Sequence, residues 1–180
     1  MKNRRTSLRT RARYLIVAAL AAGAAPVDMS AGAAPRDWAR VYIADSFTRE
    51  AVAWSLEMAD SMLAHPRCDA LFAEFHDPQG RPLTEALAAL GMNGRTYLRQ
   101  VVFLDGTGHA TCAYSQASAF TQPGSRVVFV CGRGFEHEWR VDARASAATL
   151  VHEMLHSLGL AENPPSSRFI TGRVHARCGA

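Results

Sequence analysis

Apolar residues recur at helical spacing from Trp38 to Leu63, clearest at Phe47, Ala51, Trp54, Met58 and Met62, with Arg49, Glu50, Glu57 and Asp60 between them. That spacing predicts one long or two shorter amphipathic helices whose aromatic and methionine stripe lies in the core. "HPRC" and "DPQGRP" then punctuate the chain around a short helical piece at "DALFAEF", and "PLTEALAALG" reads as another helix ending at Gly91. The pattern changes at "VVFL" (101–104) and "RVVFVC" (126–131), β-branched and aromatic runs bounded by turn residues, which predict strands. The second run is apolar from Val127 to Val130, as a strand buried on both faces would be. "AYSQASAFTQPGS" between them reads as a loop or irregular edge. Asp142 is placed to cap a helix through "ARASAATLVHEMLHSL", with Gly159 ending it and Ala147, Leu150, Val151, Met154, Leu155 and Leu158 on its apolar face. Together these elements predict a single α+β domain, with helices before and after a small mixed sheet and the last long helix packed under it. The alternative is an all-helical domain in which 101–131 is loop.

The N-terminus has a different character. Lys2, Arg4, Arg5, Arg9, Arg11 and Arg13 precede the apolar "YLIVAALAAGAAPV", and "AGA" at 31–33 offers small residues for cleavage, so residues 1–33 read as a signal peptide and 34–180 as the domain. The apolar run is short for a membrane span, although a lone anchor is the competing reading. "NRRTSLR" resembles a twin-arginine export signal; the general secretory route is equally open. Charge follows from this division. The whole chain carries +4, but six of its basic residues and Asp28 lie in 1–33, which leaves −1 for the remainder. The basic balance therefore belongs to the leader, and nothing in the domain calls for nucleic acid or, once the signal is removed, for a membrane. Cys68, Cys112, Cys131 and Cys178 make an even set in an exported chain, which favours disulfides. Of three pairings, Cys112 with Cys131 and Cys68 with Cys178 is preferred, the first closing a local loop and the second tying down the C-terminus.

Within the last predicted helix, "LVHEMLHSLGLAEN" holds His152, Glu153 and His156 in an H-E-x-x-H pattern. Chance yields this pattern roughly once in a hundred chains of such composition, and requiring Gly159 and an acid or histidine at 162 lowers that by about another hundredfold. Two imidazoles one helical turn apart can reach a single ion, and zinc accepts such nitrogen ligands. Glu162, brought back by a turn at Gly159, is the candidate third ligand; two His and one Glu with an open position is a catalytic zinc set. Glu153 is the candidate catalytic carboxylate, taking a proton from water made acidic by the metal and passing it to a leaving amine.

"HEMLHSLGLAE" resembles the zincin metallopeptidases, and among them the metzincin-type H-E-x-x-H-x-x-G-x-x-H with glutamate in the last place. An acidic third ligand is similar to the small secreted snapalysin-type bacterial proteases, and "VVFVCG" with "ENPPSS" resembles a group of secreted bacterial proteins. The resemblance implies a zincin-like fold, with His152, His156 and Glu162 on zinc, Glu153 as catalytic carboxylate, Gly159 as the turn, and a peptide or protein substrate. One departure is plain: metzincins place a methionine turn beyond the third ligand, and no methionine follows Met154; "NPPSS" stands there instead. A gluzincin arrangement is excluded because no Glu follows Glu162.

The expected function is that of an exported, monomeric zinc metallopeptidase. An inactive zinc-binding protein with a binding or structural role is the alternative, and the carboxylate at 153 speaks against it. Asn163 is a candidate to orient Glu162, and His175 a weaker candidate to stabilise an oxyanion. His137 in "FEHEW" reads as part of a solvated loop; His65, His76 and His109 flank turns; Ser166 and Ser167 suggest a helix cap before "RFITGRV".

Overall fold

A computed structural model describes Trp38 and residues 40–179. The signal-peptide reading of 1–33 lies outside the described residues. Among those described are four strands and eight helices, which makes this a small α+β domain and rules out the all-helical alternative.

The chain enters as a two-residue strand, β1 (Val41–Tyr42), and the first helix, α1, starts only at Ser46–Leu63. Asp45 stops it from starting earlier: its carboxylate takes the Thr48 N–H at 2.7 Å, the usual N-cap bond. The predicted stripe on α1 is corrected. Ala51 and Met62 are buried, but Phe47, Trp54 and Met58 are 36–39% exposed, and the buried face is instead Ala51, Val52, Ser55, Leu56, Ala59 and Leu63. Small residues won because a later helix packs closely there, with Ser55 Oγ 2.8 Å from Ser146 Oγ. The large side chains lie on the shoulder, Phe47 edge-on to Trp139.

Helices α2 (Pro66–Glu74) and α3 (Leu83–Ala89) form as the punctuation predicted. A short α4 (Gly94–Leu98), capped by Asn93, leads into strand β2 (Val102–Asp105). A short helix α5 (Ala110–Tyr114) runs into the stretch read as a loop (113–125), which also holds the edge strand β3 (Ala119–Thr121) and is followed by β4 (Val127–Val130). The sheet order is β1-β2-β4-β3; β1, β2 and β4 are parallel, and β3 runs antiparallel to β4 with Phe120 opposite Phe129. Only one face of β4 is fully buried. Val128 and Val130 meet the helices with Phe103, whereas Val127 and Phe129 are half-buried, the outer face being covered by little more than the His109, Phe120 and Phe129 ring stack. A central strand can be apolar throughout and still have one thinly covered face.

Helix α6 (Gly132–Val141) replaces the expected loop around His137, which is exposed on it. Its opening "GRG" conceals it, since glycine is a poor helix former. Helix α7 (Ala143–Ser157) is capped as predicted, Asp142 accepting from the N–H groups of Arg144 and Ala145, and it packs between α1 and the sheet with Ala147, Leu150, Val151, Met154 and Leu155 fully enclosed. Ser166 caps α8 (Ser167–Cys178).

Both preferred disulfides are present. Cys68 on α2 joins Cys178 at the end of α8, and Cys112 on α5 joins Cys131 just before α6. Arg173 and Arg177 of α8 add ion pairs to Glu74 of α2. Two disulfides suggest an oxidising compartment. No helix among the described residues is long and apolar enough to cross a membrane.

Candidate metal centre

Helix α7 presents His152 and His156 one turn apart, and both are buried, at 5% and 4% exposure. Their Nε2 atoms lie 2.9 Å from each other, close enough for both to reach one ion. What holds them there is the other nitrogen of each ring. His156 Nδ1 lies 2.8 Å from the Leu160 carbonyl, which can only accept, so Nδ1 carries the proton and Nε2 offers a lone pair. His152 Nδ1 is held 2.9 Å from the Thr171 hydroxyl of α8, which can donate or accept and so orients the ring with Nε2 towards His156 without dictating its tautomer. Burial, with the neighbouring His156, lowers the His152 pKa to about 3, so the ring is neutral, as a metal ligand must be.

The turn after α7 does the rest. Gly159 has φ +115°, a conformation L side chains rarely adopt, while an added Cβ there would meet nothing closer than 3.6 Å; the requirement is conformational and not one of space. This reversal seats Leu160 in the core with its N–H on the Leu155 carbonyl, brings the Leu160 carbonyl to His156, and returns Glu162 to the imidazoles. His152, His156 and Glu162 each offer a ligand atom within 4.8 Å of the others, a group that can hold a metal ion. The end of α7 is fastened on its far side, Tyr97 Oη donating to the Ser157 carbonyl at 3.0 Å.

Glu153 is 7% exposed and lines the same cavity of about 310 Å³, with His152, His156, Glu162, Phe120 and Thr121 around it. Burial, reinforced by the charge of Glu162 and opposed by the Thr121 backbone N–H, pushes its carboxyl up to about 8. Its Oε2 is buried without a hydrogen-bond partner. A cation beside it would offset both the burial and the Glu162 charge. The donor set of two neutral imidazoles and a carboxylate, with an unsatisfied carboxylate oxygen alongside, fits a divalent ion of the zinc type.

The four residues singled out from the sequence are therefore brought together. Asn163 is not joined to Glu162 by any hydrogen bond found among the described residues; at φ +54° its N–H closes onto the Pro165 carbonyl at 2.8 Å. His175 is exposed on α8 and does not line the cavity. Sequence reasoning missed Thr171, the Leu160 carbonyl and Thr121, all of which act through tertiary contacts with no local signature.

Thr171→Val removes the hydroxyl that orients His152 and keeps the side chain's shape. Affinity for a divalent metal ion is expected to fall about 10–100-fold, the usual cost of losing such a partner, with little change in thermal stability. Competition with a chelating dye measures it; unchanged affinity would show that His152 needs no such hold.

Comparison with protein-family models, curated proteins and solved structures gave no match.

Proposed function

We propose that this chain is an exported zinc-dependent peptidase with a zincin-like active site, working as a monomer on peptide or protein substrates. The observation that carries the reading is the convergence of His152, His156 and Glu162 beside a buried carboxylate, Glu153, that has an unsatisfied oxygen. A structural site would need the ligands alone. Glu153 costs stability where it stands, buried and partly unpaired, and this cost is understandable in a group kept for chemistry.

Zinc held by the two imidazoles and Glu162 would supply Lewis acidity towards water and towards the scissile carbonyl. Glu153 then takes the proton of the attacking water on its carboxylate and later donates it to the departing amine. Thr121 positions that carboxylate through its backbone N–H, from the outer edge of β3. This edge also supports a peptide as substrate: β3 ends the sheet next to the cavity, and an extended chain can add to such an edge through main-chain hydrogen bonds. Export through the 1–33 signal accords with the two disulfides.

The test is metal content and peptide hydrolysis measured on one preparation. About one zinc per chain is expected, with cleavage of a mixed peptide library abolished by a chelator and restored by zinc. Hydrolysis that persists after complete removal of metal would overturn the mechanism; stoichiometric zinc with no cleavage of any peptide would leave a binding protein instead.

A further inference from the structure

A second, larger cavity of about 810 Å³ lies beside the metal centre, between α5 with the 115–118 segment and α6 with the start of α7. Ala113, Ala117, Val141, Ala145 and the Cys112–Cys131 disulfide make much of its wall. Glu138 projects into it from α6, half-buried, and accepts hydrogen bonds from the hydroxyls of Thr149, at 3.1 Å from each oxygen, and Ser118. Two hydroxyls supply two protons to a carboxylate with about four acceptor positions.

Of the other buried or half-buried acids outside the metal site, Asp60, Glu74, Asp77 and Glu136 pair with arginine and Glu57 accepts from the Trp38 indole N–H, whereas no arginine pairs with Glu138 among the described residues. Arg133 and His137 line the cavity but are exposed; Asp142 adds negative charge, and His175 approaches Glu138 from α8. Burial, with the charge of Asp142, holds the Glu138 carboxyl above its usual range. A partly desolvated carboxylate facing a largely apolar cavity is matched by a side chain with an aliphatic stem and a cationic head.

The two cavities share Ser115 and Ala117. Along α7, Ala145 lines the larger one and His152 and His156 the smaller, a displacement of about 10–17 Å along the helix. That equals about three to five residues of extended peptide. We propose that this cavity is a substrate subsite that takes a lysine or arginine side chain on Glu138, within about five residues of the scissile bond. The identification of the ligand as a substrate residue rests on the peptidase reading; the preference for a cation does not.

Blocked octapeptides differing in a single lysine-for-norleucine exchange, scanned through every position, test this by equilibrium binding to zinc-loaded Glu153→Gln protein and by digestion with the wild type. At one position lysine is expected to bind at least about tenfold tighter than norleucine, the scale of a hydrogen bond to a charged group. Adding Glu138→Gln, which keeps an acceptor for Thr149, should abolish that difference and leave norleucine peptides unaffected. No lysine preference at any position, or a preference that survives Glu138→Gln, overturns the inference. Glu138-dependent binding without cleavage by wild type would instead sink the peptidase reading and leave the cation site standing. Cleavage without any lysine preference does the reverse.

Discussion

Glu153→Gln is expected to lower peptide hydrolysis by at least about a hundredfold, the minimum typical of losing a general acid-base group, while zinc content stays at the wild-type level. The amide keeps an oxygen for the Thr121 N–H and the same volume in a cavity where Glu153 is 7% exposed, so folding should be undisturbed. It cannot take a proton from water. Glu162→Ala should fail differently, because Glu162 offers a ligand atom and Glu153 does not belong to that group. Zinc affinity should drop by more than the 10–100-fold expected for an outer hydrogen-bond partner, activity should fall with occupancy, and the thermal stabilisation by added zinc should shrink by mass action. Rates, zinc stoichiometry and melting curves on both variants decide the matter. Normal hydrolysis by Glu153→Gln would remove the proposed mechanism, and wild-type zinc affinity in Glu162→Ala would place the third ligand elsewhere.

The largest effect on stability is expected from opening the Cys68–Cys178 disulfide. It closes a separation of 110 residues, against 19 for Cys112–Cys131. In the chain-entropy description these correspond to about 5 and about 3 kcal/mol, and distortion or residual structure usually lowers what is measured. The double variant Cys68→Ala, Cys178→Ala should therefore lose more stability in urea unfolding than Cys112→Ala, Cys131→Ala. There is a functional consequence too. The bond ties α8 to α2, and α8 carries the Thr171 hydroxyl that holds His152, so loosening α8 should weaken zinc binding as well. Equal losses from the two pairs would argue that loop closure is not what sets their worth here.

Much of the candidate metal centre was legible because it is local. His152, Glu153 and His156 lie within five residues of one helix, and helical geometry alone stacks residues four apart. Gly159 and Glu162 follow at once, and a glycine after a helix is the natural place for the chain to reverse. The cap at Asp142 and the strands β2 and β4 were readable for similar reasons, each being signalled by residues close in sequence; an even cysteine count pointed to disulfides but left three pairings open, with the observed one only preferred.

The phase of α1 was not legible. Hydrophobicity draws attention to Phe47, Trp54 and Met58, but the buried face was decided by how closely α7 approaches, and that favoured Ala51, Ser55 and Ala59. Helix α6 lay hidden behind its glycines and formed because Phe135 could be buried. Glu138 looked like any surface acid in "FEHEW"; only the fold set it in a cavity beside Thr149, without an arginine. Thr171, 19 residues from His152, holds the orientation of that ring across a helix pair. Sequence alone determined which side chains share a helical face, because that follows from a fixed rise and turn per residue. Which hydroxyl holds an imidazole, which face is buried and which half-buried carboxylate is left without an arginine were decided by tertiary packing, since each depends on groups far apart in the chain.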